Sequence, residues 1–238
     1  MTRENMYTID SRIRFSEIDH TGRITLPAVI NYFQDCSIFQ SEKIGYGLSY
    51  LKERHAAWVL SSWQIEIRRY LTLGEKIQVS TWATAFKGAC GGRNFCMTDE
   101  NGEIAACANS LWVYMDSQKG RPVKPEPEEL AAYGESEPLE MEAAPRKIAL
   151  AETMEELPSF PVRKYHIDTN EHVNNCQYVQ MAKEALDEGK EVGKMRAEYK
   201  KSAVYKDIIF PKAGVESDRT VVELCDEAGQ PYAVVEFK

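Results

Sequence analysis

With 238 residues, 43% hydrophobic and 28% charged, the chain can bury one or two ordinary cores without disulfides or structural metal. It has no apolar run near the roughly 20 residues that span a bilayer. Its first residues, MTRENMYTIDSRIRF, lack a secretory pattern, and a net charge of −8 gives no basic field for nucleic acid. In chain order, 11–18 alternate like an edge strand. Pro27 suits the first turn of a helix, and 29–44 carries that helix, with Val29, Phe33, Cys36 and Gln40 on one face. Strands are expected over 58–70, 75–86, 92–99 and 103–115, with turns at Leu73-Gly74-Glu75 and Asn101-Gly102. A second helix is expected to carry Tyr178, Val179, Ala182, Ala185 and Leu186 and to end near Gly189, with strands after it at 194–203, 206–212, 218–226 and 231–237.

Between these two series lies an acidic stretch. Ten glutamates stand against Arg146 and Lys147 in 126–156, which accounts for the whole charge excess. Pro122, Pro125, Pro127, Pro138, Pro145 and Pro158 forbid long regular elements there. This predicts an N-terminal domain over 1–125, a Pro/Glu-rich linker over 126–157 and a C-terminal domain over 158–238, with a short helix near 126–132. The halves repeat weakly and in order. RFSEIDHTGRI (14–24) matches RKYHIDTNEHV (163–173), IEIRRYLTLGEKIQV (65–79) matches AEYKKSAVYKDIIFP (197–211), and Asp99-Glu100-Asn101-Gly102 matches Asp226-Glu227-Ala228-Gly229. The offsets fall from 149 through 132 to 127, as two copies of one fold with shortening connections would give.

The six cysteines are scattered without a CxxC pair, so they read as reduced and buried, and no metal or other cofactor is implied. Chemistry concentrates in YHIDTNEHVNNCQY (165–178). Acid–base chemistry on water needs a base, a donor for developing negative charge and an acid for the departing group. His172 exchanges protons near neutral pH. Asn170 offers a non-ionising amide, and Asp168 can orient a partner. If the backbone is extended, their spacing of two puts all three on one face. Asn174 or Asn175 can cap the helix that follows, whose N–H groups suit developing negative charge. The bland alternative for this run is a capped turn with an incidental histidine.

The run resembles the D-x-N-x-H-V-N-N-x-x-Y signature of acyl-acyl-carrier-protein (acyl-ACP) thioesterases. Residues 64–82 (QIEIRRYLTLGEKIQVSTW), Ser110-Leu111-Trp112-Val113-Tyr114-Met115 and Glu198-Tyr199-Lys200-Lys201 are similar to further segments of that family. The resemblance implies an α+β double hotdog: two fused domains, each a curved antiparallel sheet wrapped around a long helix. It also implies hydrolysis of fatty acyl-ACP, with acyl carrier protein as partner and a monomer or homodimer; the lack of a secretory pattern, a spanning run and a basic field leads to the cytoplasm and no nucleic acid as expectations. Asp168, Asn170 and His172 become the expected catalytic set, with Asn174, Asn175 and Ser202 in support. The family's plant members follow E-Y-R-R with Glu-Cys; here Ser202 and Ala203 stand there, so a cysteine nucleophile at that place is excluded and direct attack by water is expected. The first copy has Asp19, Thr21 and Arg23 where the second has Asp168, Asn170 and His172, so one site is expected, with Phe33 and Phe39 as candidates to line an acyl pocket. Carrier proteins are acidic, so the matched cations Arg68, Arg69, Lys200 and Lys201 are docking candidates. An acyl-CoA hydrolase, a hotdog dehydratase and a non-catalytic acyl-binding protein are the competing readings.

Overall fold

The computed structural model describes residues 5–142 and 144–238. The chain divides into two compact units, 1–61 with 65–142, and 62–64 with 143–238. Unit 1 contains β1 (Tyr7–Arg12), α1 (Leu26–Lys43), α2 (Leu48–Glu53), β2 (Ala56–Ile67) apart from its residues 62–64, β3 (Lys76–Lys87), β4 (Cys90–Asp99), β5 (Ile104–Asp116), the short β6 (Arg121–Pro122) and α3 (Pro127–Tyr133). Its main strands lie in the order β1-β3-β4-β5-β2. The expected strand over 11–18 is instead β1 at 7–12 followed by a 3-10 turn over Phe15–Glu17. The alternation was real, but Glu17 folds back to accept the Arg14 N–H at 2.8 Å, which ends extension there.

α1 starts where the Thr25 hydroxyl accepts the Ala28 N–H at 3.2 Å, with Pro27 in the first turn, where its missing donor is harmless. Val29, Phe33, Cys36 and Gln40 are all buried on it, as the spacing predicts. Phe33 meets Phe95 of β4 with ring centroids 5.2 Å apart, and the Cys36 thiol donates to the Val79 carbonyl of β3 at 3.2 Å. Burying a ring like Phe33 is worth about 1.5–3 kcal/mol.

Unit 2 contains β7 (Glu155–Glu156), β8 (Phe160–Pro161), α4 (Asn175–Lys183), β9 (Lys194–Tyr199), β10 (Ile208–Val215), β11 (Thr220–Cys225) and β12 (Pro231–Phe237). Its strands run β9-β12-β11-β10-β7, with β8 also paired to β10. α4 buries Cys176, Tyr178, Val179, Met181 and Ala182, but it ends at Lys183, six residues before the expected Gly189. Glu184, Asp187 and Glu188 offer no apolar face, and the chain closes instead through Ala185 N–H to Ala182 O and Leu186 N–H to Lys183 O. Each unit is thus a helix laid on an antiparallel sheet, the hotdog arrangement.

Much of the acidic stretch is packed. In α3, Glu129 is fully buried and accepts from the Trp58 indole and the Tyr114 hydroxyl, each at 3.0 Å. The Trp82 indole donates to the Glu137 carbonyl at 3.1 Å, and the Asn94 side chain accepts the Leu139 N–H at 2.8 Å. Ile148 and Ala151 are buried in unit 2. Proline blocks long elements here without making the segment a free tether.

Candidate functional site

The two copies build the same turn. In unit 1 the Asp19 carboxylate accepts the Thr21 N–H at 2.9 Å, the Asp19 N–H donates to Arg23 O at 2.9 Å, and the Gly22 N–H to Asp19 O at 3.0 Å. In unit 2 the Asp168 carboxylate accepts the Asn170 N–H at 2.8 Å, Asp168 N–H donates to His172 O at 2.8 Å, and Glu171 N–H to Asp168 O at 3.1 Å. Gly22 has φ +80°, and Glu171, at the matching place, has φ +62°. The backbone over 168–172 is therefore a tight aspartate-capped turn, not an extended strand. The expectation that period two aligns Asp168, Asn170 and His172 on one strand face is corrected: polar alternation is also what an aspartate bonded two residues ahead produces.

The turn is pinned to the next strand connection and to α4. Ile167 pairs with Val173 and His172 with Val204, and the Val173 N–H donates to Ala203 O at 2.9 Å. Asn174 accepts the Cys176 N–H at 2.9 Å and so caps α4, while Asn175 opens the helix and its carbonyl accepts from the Tyr199 hydroxyl at 3.0 Å. The Tyr178 hydroxyl accepts the Ala203 N–H at 2.7 Å. Burial pushes the Tyr178 phenol up to about 12 and the Tyr199 phenol well above its ordinary value, so both stay neutral. These two tyrosines hold the frame around His172. Sequence reasoning gave them no role, although both lie inside the quoted motifs and a buried tyrosine needs a partner for its hydroxyl.

Asn170 and His172 are exposed, and among the described residues neither side chain has a hydrogen-bond partner. Asp168 is half-buried and its carboxylate is engaged in the turn. Ser202 is exposed and Ala203 buried. Cys176 is 2% exposed in the first turn of α4, and all six cysteines remain thiols. His166 is buried, and its Nδ1 accepts the Arg163 N–H at 3.0 Å, so it is a structural residue whose burial lowers its pKa. His20 and His55 are exposed in unit 1.

The expected docking cations are mostly engaged within the chain. Arg69 bridges Glu75 at 2.8 Å and Asp99 at 2.9 Å, Lys200 pairs with Glu198 at 2.6 Å, and Lys201 pairs with Asp226. Arg68 is exposed. Of the pocket candidates, Phe33 is core and Phe39 is 49% exposed on the outer side of α1.

Sequence comparison places the turn in context. The acyl-ACP thioesterase N-terminal domain matches residues 4–133, and the acyl-ACP thioesterase C-terminal domain matches 150–226. A chloroplastic acyl-[acyl-carrier-protein] hydrolase of Cuphea viscosissima is 30% identical over 187 residues, which is 70% of this chain and 44% of that protein. A chloroplastic palmitoyl-acyl carrier protein thioesterase of Gossypium hirsutum is similar to the same degree. The chain thus spans less than half the length of these curated relatives. An acyl-ACP thioesterase of Bacteroides thetaiotaomicron shares the fold at a TM-score of 0.88 and 21% identity, covering 98% of this chain and 97% of its own. The 12:0-ACP thioesterase of Umbellularia californica does so at 0.84 and 20%, covering 100% and 98%. With both domain models matched in order across most of its length, the chain belongs to the acyl-ACP thioesterase family.

Proposed function

We propose that the chain hydrolyses the thioester of fatty acyl-ACP in the cytoplasm, releasing free fatty acid, at the 168–172 turn. The observation that carries this reading is the divergence of two otherwise equal turns. The backbone bonds are the same in both, yet only the second has an asparagine two residues and a histidine four residues after the aspartate, and among the described residues neither side chain has a hydrogen-bond partner. Asp168 builds the turn that presents them. His172 takes a proton from water as its oxygen bonds to the thioester carbon. The Asn170 amide donates to the oxygen that becomes negative. The tetrahedral intermediate collapses with cleavage of the C–S bond, and His172 returns the proton to the departing sulfur.

No acyl-cysteine takes part in this scheme. Ser202 and Ala203 occupy the place of the family's Glu-Cys pair, and Cys176 is buried. The test compares acyl-ACP with acyl-CoA of equal chain length, scoring free fatty acid, with mass spectrometry of the quenched enzyme. Release from acyl-ACP with no acylated protein supports the reading. Preference for acyl-CoA overturns the substrate, a trapped acyl-cysteine overturns the mechanism, and binding without release makes the protein a carrier of acyl groups rather than a hydrolase.

A further inference from the structure

Around the turn the second copy redistributes charge rather than adding it: Glu171 and His172 replace Gly22 and Arg23, while three other positions place cations on the flank. Arg14 is neutralised by Glu17, but at the matching places stand Arg163 and His166, so Arg163 lacks that carboxylate. Phe15 corresponds to Lys164, and Gly74 to Lys206. Among the described residues, Arg163, Lys164 and Lys206 are exposed and have no carboxylate within ion-pair distance. That sets them apart from Arg69, Lys200 and Lys201, which are paired. Asp207, the acid nearest in sequence to Lys206, is occupied by the Val204 N–H and the Tyr232 hydroxyl, each at 3.0 Å.

Two further features mark this surface. Tyr165 is 78% exposed, and the Tyr205 ring, also exposed, lies under both Lys164 Nζ at 5.8 Å and Lys206 Nζ at 5.5 Å. Lys206 also has φ +80°, where the first copy uses Gly74 at φ +86°. A lysine held in a conformation that favours glycine, at a place where the repeat shows glycine would serve, is a cost to the fold that points to a use for its charge. The face adjoins the candidate site directly, since Val204 pairs with His172 and the Lys206 N–H bonds to Val162 O.

Resting on the function proposed above, we infer that Arg163, Lys164 and Lys206, with Tyr165 and Tyr205, form the surface on which the acidic carrier protein docks to present its thioester to His172. The fit is one of charge: among the described residues, three cations without a carboxylate partner lie beside the residue that must meet the delivered substrate, outnumbering the exposed Glu171 of the turn.

The test uses the full chain and three variants: Lys164→Glu/Lys206→Glu, Lys206→Gly and, as a control matched in charge, Lys52→Glu/Lys87→Glu at two exposed lysines of unit 1. Affinity is measured by anisotropy with an acyl-ACP whose thioester sulfur is replaced by NH, so that it cannot be cleaved. Hydrolysis is measured on acyl-ACP and on acyl-pantetheine, which lacks the carrier. The double charge reversal is expected to weaken carrier affinity and raise KM for acyl-ACP by about tenfold, more at low salt, leaving kcat/KM on acyl-pantetheine unchanged. Lys206→Gly is expected to weaken affinity by about threefold while the melting temperature stays level or rises, since glycine relieves the backbone. Unchanged affinity in both Lys206 variants overturns the docking surface, as does an equal loss in Lys52→Glu/Lys87→Glu, which changes the same charge elsewhere. A parent that binds the amide analogue through these lysines but releases no fatty acid leaves the docking surface standing and overturns the hydrolysis.

Discussion

At the scale of single residues, the site separates groups that build from groups that are displayed. Asn170 and His172 are exposed and make no side-chain hydrogen bonds among the described residues, so Asn170→Ala and His172→Ala should leave stability within about 0.5 kcal/mol of the parent. A urea midpoint shifted well beyond that would mean these side chains belong to the frame. Tyr178 is the contrasting case. Its hydroxyl is the acceptor for the buried Ala203 N–H, and phenylalanine would leave that donor without one. Tyr178→Phe should therefore cost about 1–3 kcal/mol, the usual penalty for an orphaned buried polar group. Denaturant unfolding checks it, and a neutral result would show that the strand beside His172 is held by other bonds.

At the scale of elements, periodicity made most of the fold legible. α1, β2 to β5 and β9 to β12 fall within a few residues of where side-chain alternation and helical spacing put them, because each buries one face against a core. The exceptions share a cause: short-range polar bonds overrode the pattern. Glu17 curls the end of β1, acidic residues stop α4, and Asp168 converts apparent alternation into a turn. The left-handed conformation of Glu171 was visible only through Gly22 in the other copy. The pairings of Arg69 with Asp99 and Lys201 with Asp226 join residues far apart in sequence, so no local pattern revealed them. α3 carries a prediction of its own. Burial raises the Glu129 carboxyl above its ordinary 4.5, against the opposing effect of the Trp58 and Tyr114 donors. Below pH 4.5 the group is protonated whether the chain is folded or not and contributes no pH dependence. As pH rises from there towards the raised folded value, the unfolded chain loses its proton first, so stability falls, and above that value the deficit is constant. Glu129→Gln keeps an acceptor for Trp58 and turns its amide to the Tyr114 oxygen, but cannot ionise. Melting curves from pH 4 upward should therefore diverge, with the variant gaining on the parent as pH rises. Parallel curves would mean the carboxyl is not penalised by its burial.

At the scale of the whole molecule, the question is what duplication left behind. The two copies agree in hydrogen bonds that no sequence match revealed. Ile24 N–H bonds to Leu71 O as Val173 N–H does to Ala203 O, Thr25 N–H bonds to Glu17 O as Asn174 N–H does to His166 O, and Arg68 N–H bonds to Ala105 O as Lys200 N–H does to Tyr232 O. Backbone survives divergence because every buried N–H must keep a partner. Side chains on an exposed turn are under no such constraint, and there the copies part. In unit 1 the Thr21 hydroxyl is drawn to Asp19 at 2.6 Å, Arg23 stands in place of His172, and the turn's own histidine, His20, follows the aspartate by one residue rather than four, so the asparagine–histidine pair of the proposal is missing there. If the proposed chemistry holds, the molecule has one working turn. His172→Ala should then lower kcat on acyl-ACP by about 10²–10⁴, the range that positioned proton transfer contributes, rather than by the factor of two expected were both turns active. Arg23→Ala should leave kcat unchanged. A twofold loss in each variant would mean that the first copy still works, and that the unpartnered asparagine and histidine of the second are not what makes the turn catalytic.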